Sequence, residues 1–208
     1  MNERVPSAGR GCPKSCRQET AGKALRKVIG EQMELNILYW IQELHSDFLN
    51  PIMVTIFNDI VGSKGEIWII LGTILLLIPK TRKAGLCALS AYIIAYYVGD
   101  GILKDLIARP RPCMLDETVT LLVSRPSSFS CPSVHSMLAF ASASSVFWFH
   151  KKAGTAALVF AALIGFSRMY FFVHFPTDVL LGSALGFLIG TAVCFLAKAG
   201  IKKNQIAG

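Results

Sequence analysis

The sequence predicts an all-α, polytopic membrane helical bundle with about six transmembrane helices. Three observations lead there. Charged residues make up only 16% of the 208 residues and hydrophobic residues 53%, whereas a soluble domain carries about 25% charge. The deficit is concentrated, because residues 66–79, 84–103, 134–149, 153–172 and 179–197 are almost free of charge. Such stretches approach the roughly 20 apolar residues needed to cross a hydrocarbon core. Finally, Pro79, Gly154 and Pro176 stand at the joints between the runs, where helix breakers belong. An all-helical soluble core is the alternative, and five such stretches leave too little polar surface to cover it.

The elements follow in order. Residues 1–30 are polar and basic, without the apolar run of a secretory signal. They are expected to form a flexible cytoplasmic tail. A membrane domain follows over 31–200, and 201–208 are expected as a cytoplasmic C-terminal tail. The stretch 33–49 sets Leu35, Leu38, Tyr39, Ile41 and Leu44 against Glu34, Gln42, Glu43 and Asp47, the pattern of an amphipathic helix at an interface. Asn50-Pro51 breaks it, since proline disfavours helix in the residue before it. A short apolar helix over 51–62 is expected to join it in one bent crossing. Further helices are expected at 65–79, 84–107, 133–150, 153–172 and 176–198. The loop 109–132 is the only long one, and long loops inside compact bundles are usually functional or disordered.

The net charge is +8, with a pI of about 9.3 and mean hydropathy +0.51. The basic residues lie in short runs between apolar segments, without the aromatic-and-basic stripe on which single strands stack, so no nucleic-acid partner is expected. Lys80, Arg82 and Lys83, then Lys151 and Lys152, then Lys198, Lys202 and Lys203 fall on one side of a zigzag chain. The positive-inside rule makes that side cytoplasmic and assigns both termini to it. Cys12 and Cys16 lack a downstream Cys/His pair, too little for a zinc site. Cys87 and Cys194 read as packing residues, and Cys113 and Cys131 bracket one loop in which a disulfide is open.

Three polar clusters fall on the opposite side: Lys104 to Pro112, Cys131 to Ser136, and Ser167 to Asp178. Ionisable residues at the ends of apolar helices are costly and normally functional. Lys104, Arg111 and Arg168 supply donors suited to phosphoryl oxygens. The helix starting beside Ser133 turns free N–H groups and a positive dipole end toward an anion. His174, four residues before Asp178, suits a nucleophile held by a carboxylate, and His135 suits a proton donor. The bland readings are assigned elsewhere. His45 and His150 read as satisfied interface histidines, Arg109 and Arg125 as flanking charges, Asp100 as the i, i+4 ion-pair partner of Lys104, and Tyr96, Tyr97, Tyr170, Phe171 and Phe172 as interface or packing aromatics.

K-x6-R-P (Lys104, Arg111, Pro112), P-S-x-H (Pro132, Ser133, His135) and S-R-x5-H-x3-D (Ser167, Arg168, His174, Asp178) resemble the three motifs of the type 2 phosphatidic acid phosphatase (PAP2) and vanadium haloperoxidase superfamily. The resemblance spans about residues 34–198 and is to the membrane lipid phosphatase branch. It implies hydrolysis without metal or other cofactor. His174 would attack phosphorus and form a phosphohistidine while Asp178 orients its ring. His135 would protonate the leaving group and later activate water. Lys104, Arg111, Arg168, Ser133 and the 134–135 amides would bind the phosphoryl oxygens. The partners implied are membrane lipids and a lipid phosphate substrate, with undecaprenyl diphosphate, phosphatidate and phosphatidylglycerol phosphate as candidates, at the external face of the cytoplasmic membrane.

One position departs from the pattern. The second motif usually reads P-S-G-H, and Val134 replaces its glycine. Glycine lets backbone approach a phosphate closely, so valine is expected to narrow the site or shift its amide donors. Two further readings therefore stand beside the phosphatase: a non-catalytic lipid-phosphate-binding protein disabled by Val134, and a lipid phosphotransferase with an acceptor other than water.

Overall fold

The computed structural model describes residues 29–206 and is all-α among them. Residues 1–28, with Cys12 and Cys16 and most of the expected N-terminal tail, lie outside the described residues. Helix α1 spans 29–42. Helix α2 (Leu49–Val54) continues into a π-helical turn, Thr55–Ile60. Helices α3 (Ile67–Leu77) and α4 (Arg82–Val98) follow. A second π-helical segment, Gly99–Leu103, leads from α4 into the short α5 (Lys104–Ile107), which a left-handed Ala108 ends at φ 48°. The long loop contains α6 (Pro112–Leu115). Helices α7 (Val134–Phe149), α8 (Lys151–Tyr170) and α9 (Pro176–Ile206) complete the bundle. Helix α9 therefore runs through 201–206, which were expected as a tail.

Helix α7 is the central one and packs on α4, α8 and α9. Its buried residues are mostly small and weakly polar, Ser136, Ala139, Ala141, Ser142, Ala143, Ser144 and Ser145, with Met137 and Leu138 the large exceptions. Large apolar side chains instead face outward, among them Ile70 and Leu77 on α3, Leu86 and Ile93 on α4, Val159 on α8, and Leu180, Leu188 and Leu196 on α9. Small residues inside and large ones outside is the arrangement of helices that associate in lipid, where close backbone approach replaces a hydrophobic driving force.

Gly182, Gly186 and Gly190 of α9 make this approach possible, since they recur every four residues against α7. A Cβ on Gly186 would lie 2.2 Å from the Met137 carbonyl oxygen, an obstacle that no side-chain rotation relieves. Gly186→Leu is therefore expected to separate α7 from α9. Its midpoint of thermal unfolding in detergent should fall by more than 10 °C, roughly the shift of a loss of a few kcal/mol in a chain of this size. An unchanged midpoint would contradict this packing.

Among the described residues, three helical stretches are long and apolar enough to cross a membrane: Arg82–Leu115, Lys151–Tyr170 and Pro176–Ala199. Ile67–Leu77 and Val134–Phe149 are apolar but shorter. Helix α7 lies among its neighbours, so most of its surface meets protein instead of solvent or lipid.

The two segments expected over 33–62 are present, but they do not break at Asn50-Pro51. The break falls at 43–48, and Pro51 sits in the first turn of α2. Both segments lie across the end of the bundle that carries the starts of α7 and α9. Glu34 accepts the Thr177 N–H at 3.2 Å. Gln42 Nε2 donates to the Tyr170 carbonyl at 3.0 Å, which His45 Nε2 also contacts at 3.0 Å. The Tyr170 hydroxyl donates to Asn50 at 2.6 Å, and Arg168 donates to the Phe57 carbonyl. At the other end, Lys83, Trp148, Phe149 and Lys198 surround one depression, which gathers the α3–α4 joint, the α7–α8 joint and the later part of α9.

Candidate active site

The site is assembled at the α1–α2 end. A cavity of about 320 Å³ is lined by Lys104, Arg111, Arg168, His135, His174 and Val134, together with Lys64, Tyr96, Asp100 and the loop residues Ser124 and Ser128. The π-helical segment before Lys104 adds an extra residue to the local turn, a distortion often found at functional sites. Lys104 is buried, its Nζ donating to Asp100 at 2.7 Å and to Ser128 Oγ at 3.1 Å. The i, i+4 ion pair expected from sequence is therefore present.

Arg111 reaches the same Ser128, Nε donating to its carbonyl at 2.7 Å and Nη2 to its hydroxyl at 3.0 Å. Its Nη1 donates to the Val173 carbonyl at 2.9 Å and contacts His174 Nε2 at 3.1 Å. A guanidinium has only N–H donors, so Nε2 is the accepting nitrogen and the ring proton resides on Nδ1. The lone pair of His174 thus points toward a cation at the cavity wall.

Behind the ring, Asp178 is fully buried. Its Oδ2 lies 3.8 Å from His174 Nδ1, too far for a hydrogen bond. Ser130 closes that gap. Its hydroxyl donates to Asp178 Oδ2 and stands 3.4 Å from His174 Nδ1. The order is therefore imidazole N–H, serine hydroxyl, carboxylate. The Phe175 N–H also donates to Asp178 Oδ2 at 2.9 Å. Burial lowers the His174 pKa to about 4, against the raising influence of Asp178, and Arg111 lowers it further. The ring is neutral at pH 7, the state with a lone pair to offer.

Ser133 precedes α7 and is fully buried. Its hydroxyl accepts from Ser136 at 3.0 Å, and its N–H donates to the Asp178 carbonyl at 3.1 Å. It does not line the cavity, so its backbone tie between α7 and α9 is its clearest contribution. His135 lines the cavity and places Nε2 3.3 Å from the Gly62 carbonyl. Arg168 is held by Ser167 Oγ at 3.0 and 3.1 Å. Val134 occupies the first turn of α7 in ordinary helical conformation, so no residue with positive φ is needed there. Its Cγ2 lies 3.5 Å from where a Cβ on Gly99 would be. That is ordinary van der Waals contact, and Gly99, the first residue of the π-helical segment, instead makes room for Met137, whose Sδ would lie 2.9 Å from such a Cβ.

The PAP2 superfamily profile matches residues 84–200, more than half of the chain. The chain belongs to the PAP2 superfamily. It is 30% identical over 132 residues to an undecaprenyl-diphosphatase of Sulfolobus acidocaldarius, a match covering 63% of this chain and 62% of that protein. The chain thus spans less than two thirds of that relative. It is also 30% identical to the bacitracin transport permease protein BcrC of Bacillus licheniformis, over 79% of this chain and 81% of that one. The crystal structure of the transmembrane PAP2 type phosphatidylglycerolphosphate phosphatase from Bacillus subtilis superposes with a TM-score of 0.67 at 29% identity, covering 82% of this chain and 87% of that one. The PAP2 homologues are membrane lipid phosphatases, and this chain has their fold.

Within the PAP2 framework several residues matter that the sequence reading passed over. Arg109, read as a flanking charge, donates from Nη1 to Asp178 Oδ1 at 2.8 Å and from Nη2 to Glu34. Its guanidinium also stacks 3.9 Å from the Phe175 ring centroid. Glu34, 75 residues away on α1, completes the bridge. Ser128, Ser130 and the 62–66 turn are further additions. A serine in a serine-rich loop carries no distinguishing signal, whereas Arg109 lay within a quoted motif. Arg125 meets only the exposed Glu117 at 3.4 Å, as a flanking charge would. Cys113 and Cys131 are both free thiols, so the open disulfide is absent. Among the described residues no three His, Cys, Asp or Glu side chains converge to hold a metal.

Proposed function

We propose that this PAP2 protein hydrolyses a lipid phosphate or lipid diphosphate through a phosphohistidine on His174. The observation that carries the reading is the pairing of His174 Nε2 with Arg111 at 3.1 Å in a cavity also lined by Lys104 and Arg168. An anionic phosphoryl group would take the place beside Arg111 and meet the His174 lone pair directly. Asp178, through Ser130, holds the Nδ1 proton and favours the imidazolium character that develops during attack. His135 donates the proton to the leaving oxygen and then activates water. Fixed cations around the transferring group supply the main stabilisation of the transition state. Undecaprenyl diphosphate, phosphatidate and phosphatidylglycerol phosphate are the candidate substrates. The names of the relatives support the first and the last of these.

The proposed topology differs from the sequence expectation. We infer five crossings, α3, α4–α5, α7, α8 and α9, with the cavity at the external face and the C-terminus cytoplasmic. Lys83 and Lys198 around one depression opposite the cavity support this orientation. Residues 1–28 contain no apolar run that would add a crossing. Residue 29 then sits on the external side.

Phosphate release by the purified protein from a panel of lipid mono- and diphosphates tests the activity, and no release from any of them rejects it. Val134 lines the cavity from the first turn of a regular helix, with no backbone distortion, which favours a working enzyme over a disabled one. Val134→Gly is accordingly expected to change kcat/KM by less than about 5-fold, since a change near 1 kcal/mol is the scale of a tolerated volume adjustment. A gain above 100-fold would support the disabled-binder reading instead.

A further inference from the structure

One wall of the cavity serves none of the roles assigned so far. It is the turn between α2 and α3, which carries Lys64. Its backbone is firmly set. The Tyr92 hydroxyl donates to the Lys64 carbonyl at 2.8 Å, and the Lys64 N–H donates to Glu66 Oε2 at 2.9 Å. The Ser63 hydroxyl donates to Glu66 Oε1 at 3.0 Å. Gly62 takes φ +82°, and a Cβ there would strike the Glu66 carboxylate at 2.0 Å. The same Gly62 offers its carbonyl to His135, so the turn adjoins the proposed proton donor.

The Lys64 ammonium lines the cavity and donates to the Tyr96 hydroxyl at 2.7 Å. It stands 5.0 Å from the centroid of that ring. Among the described residues no carboxylate lies within ion-pair distance of it, whereas Lys104 is neutralised by Asp100. An ammonium has three protons, and Tyr96 takes one. Three non-bridging oxygens on the attacked phosphorus are already faced by Lys104, Arg111 and Arg168. Lys64 is thus a fourth cation, placed on the His135 side, where the leaving group departs.

For a monoester the leaving group is an alkoxide that one proton from His135 neutralises, and a further cation gains little. For a diphosphate the leaving group is a phosphate that stays anionic after it departs. We infer that Lys64 is a specificity-determining residue that binds the lipid-proximal phosphate, so that the site favours lipid diphosphates over lipid monophosphates. The inference rests on the phosphatase reading above. In the step, the His174 Nε2 lone pair forms the bond to the terminal phosphorus. The bond from that phosphorus to the bridging oxygen breaks, and its electron pair leaves on that oxygen. His135 gives it a proton, and Lys64 balances the remaining charge. Water then cleaves the phosphohistidine, releasing inorganic phosphate and restoring the free ring.

The test compares a polyprenyl diphosphate with the monophosphate of the same chain length, using wild type, Lys64→Ala and Lys64→Arg in detergent micelles. Wild type should prefer the diphosphate. Lys64→Ala should lower kcat/KM for the diphosphate about 30-fold, the scale of one charge-assisted hydrogen bond, and for the monophosphate less than about 3-fold. Lys64→Arg should restore most of the preference. The side chain is not what holds the turn, so unfolding midpoints should agree within 2 °C, about the scale of an ordinary surface substitution. Equal losses on both substrates, an unchanged ratio, or a wild-type preference for the monophosphate overturns the inference while leaving the phosphatase reading intact. Turnover of neither substrate by wild type removes both.

Discussion

His174→Ala is expected to lower kcat by at least about 10⁴-fold on any lipid phosphate the wild type turns over, because no neighbouring group replaces a lost covalent nucleophile. Arg111 contacts Nε2 from the cavity side, and Ser130 stands at Nδ1 from behind. Attack through Nε2 is therefore the only geometry that keeps the second nitrogen supported. Rapid acid quenching of wild type with substrate labelled in the transferred phosphoryl group should trap acid-labile label on the protein. His174→Ala should trap none, although it retains Lys104, Arg111 and Arg168 and should still bind substrate competitively. Retention of a tenth of wild-type kcat would eliminate His174 as the nucleophile.

Arg109→Ala is the second large effect, and it should appear in stability and turnover together. Arg109 bridges fully buried Asp178 and Glu34, whose side chain is 13% exposed. Removing one member of a buried ion pair costs about 3–5 kcal/mol, because it strands the partner charge. Asp178 would keep Ser130 and the Phe175 N–H but lose its only cation within ion-pair distance among the described residues. The carboxylate is then less firmly positioned against Ser130 and the His174 ring, so kcat should fall about 100-fold, in the range of lost positioning effects. Glu34→Gln, which frees α1 but leaves Arg109 on Asp178, should lower the unfolding midpoint with less than about 5-fold loss of kcat, an exposed-end pairing being the weaker one. Wild-type kcat and melting for Arg109→Ala would show that the bridge is incidental.

The contrast between these two residues explains what could be read in advance. His174, Asp178, Lys104, Arg111, Arg168 and His135 lie in short motifs whose spacing is visible along the chain, and their chemistry is costly beside apolar helices. Helices α3, α4, α7, α8 and α9 were visible for the same local reason, since apolar runs and breakers mark their ends, whereas α6 lies in the stretch read as a loop. Ser130 and Glu34 act on partners 48 and 143 residues away, and no local pattern links such positions. Arg109 lay within a quoted motif, yet only its distant partners distinguish it from a flanking charge.

Membrane character and the helical class were legible along the chain, and so were the groups proposed to react, because all three depend on composition and near-neighbour spacing. The path of residues 33–62 was settled only in three dimensions. Its mixed apolar content is equally compatible with crossing a membrane or lying across the bundle end. Hydrogen bonds join Glu34, Gln42, His45 and Asn50 to the end of α8 and the start of α9, neighbours that no local pattern names. The valine in the second motif belongs with it. That a β-branched side chain is accommodated there, lining the cavity from a regular helical turn, is visible only once the bundle is packed.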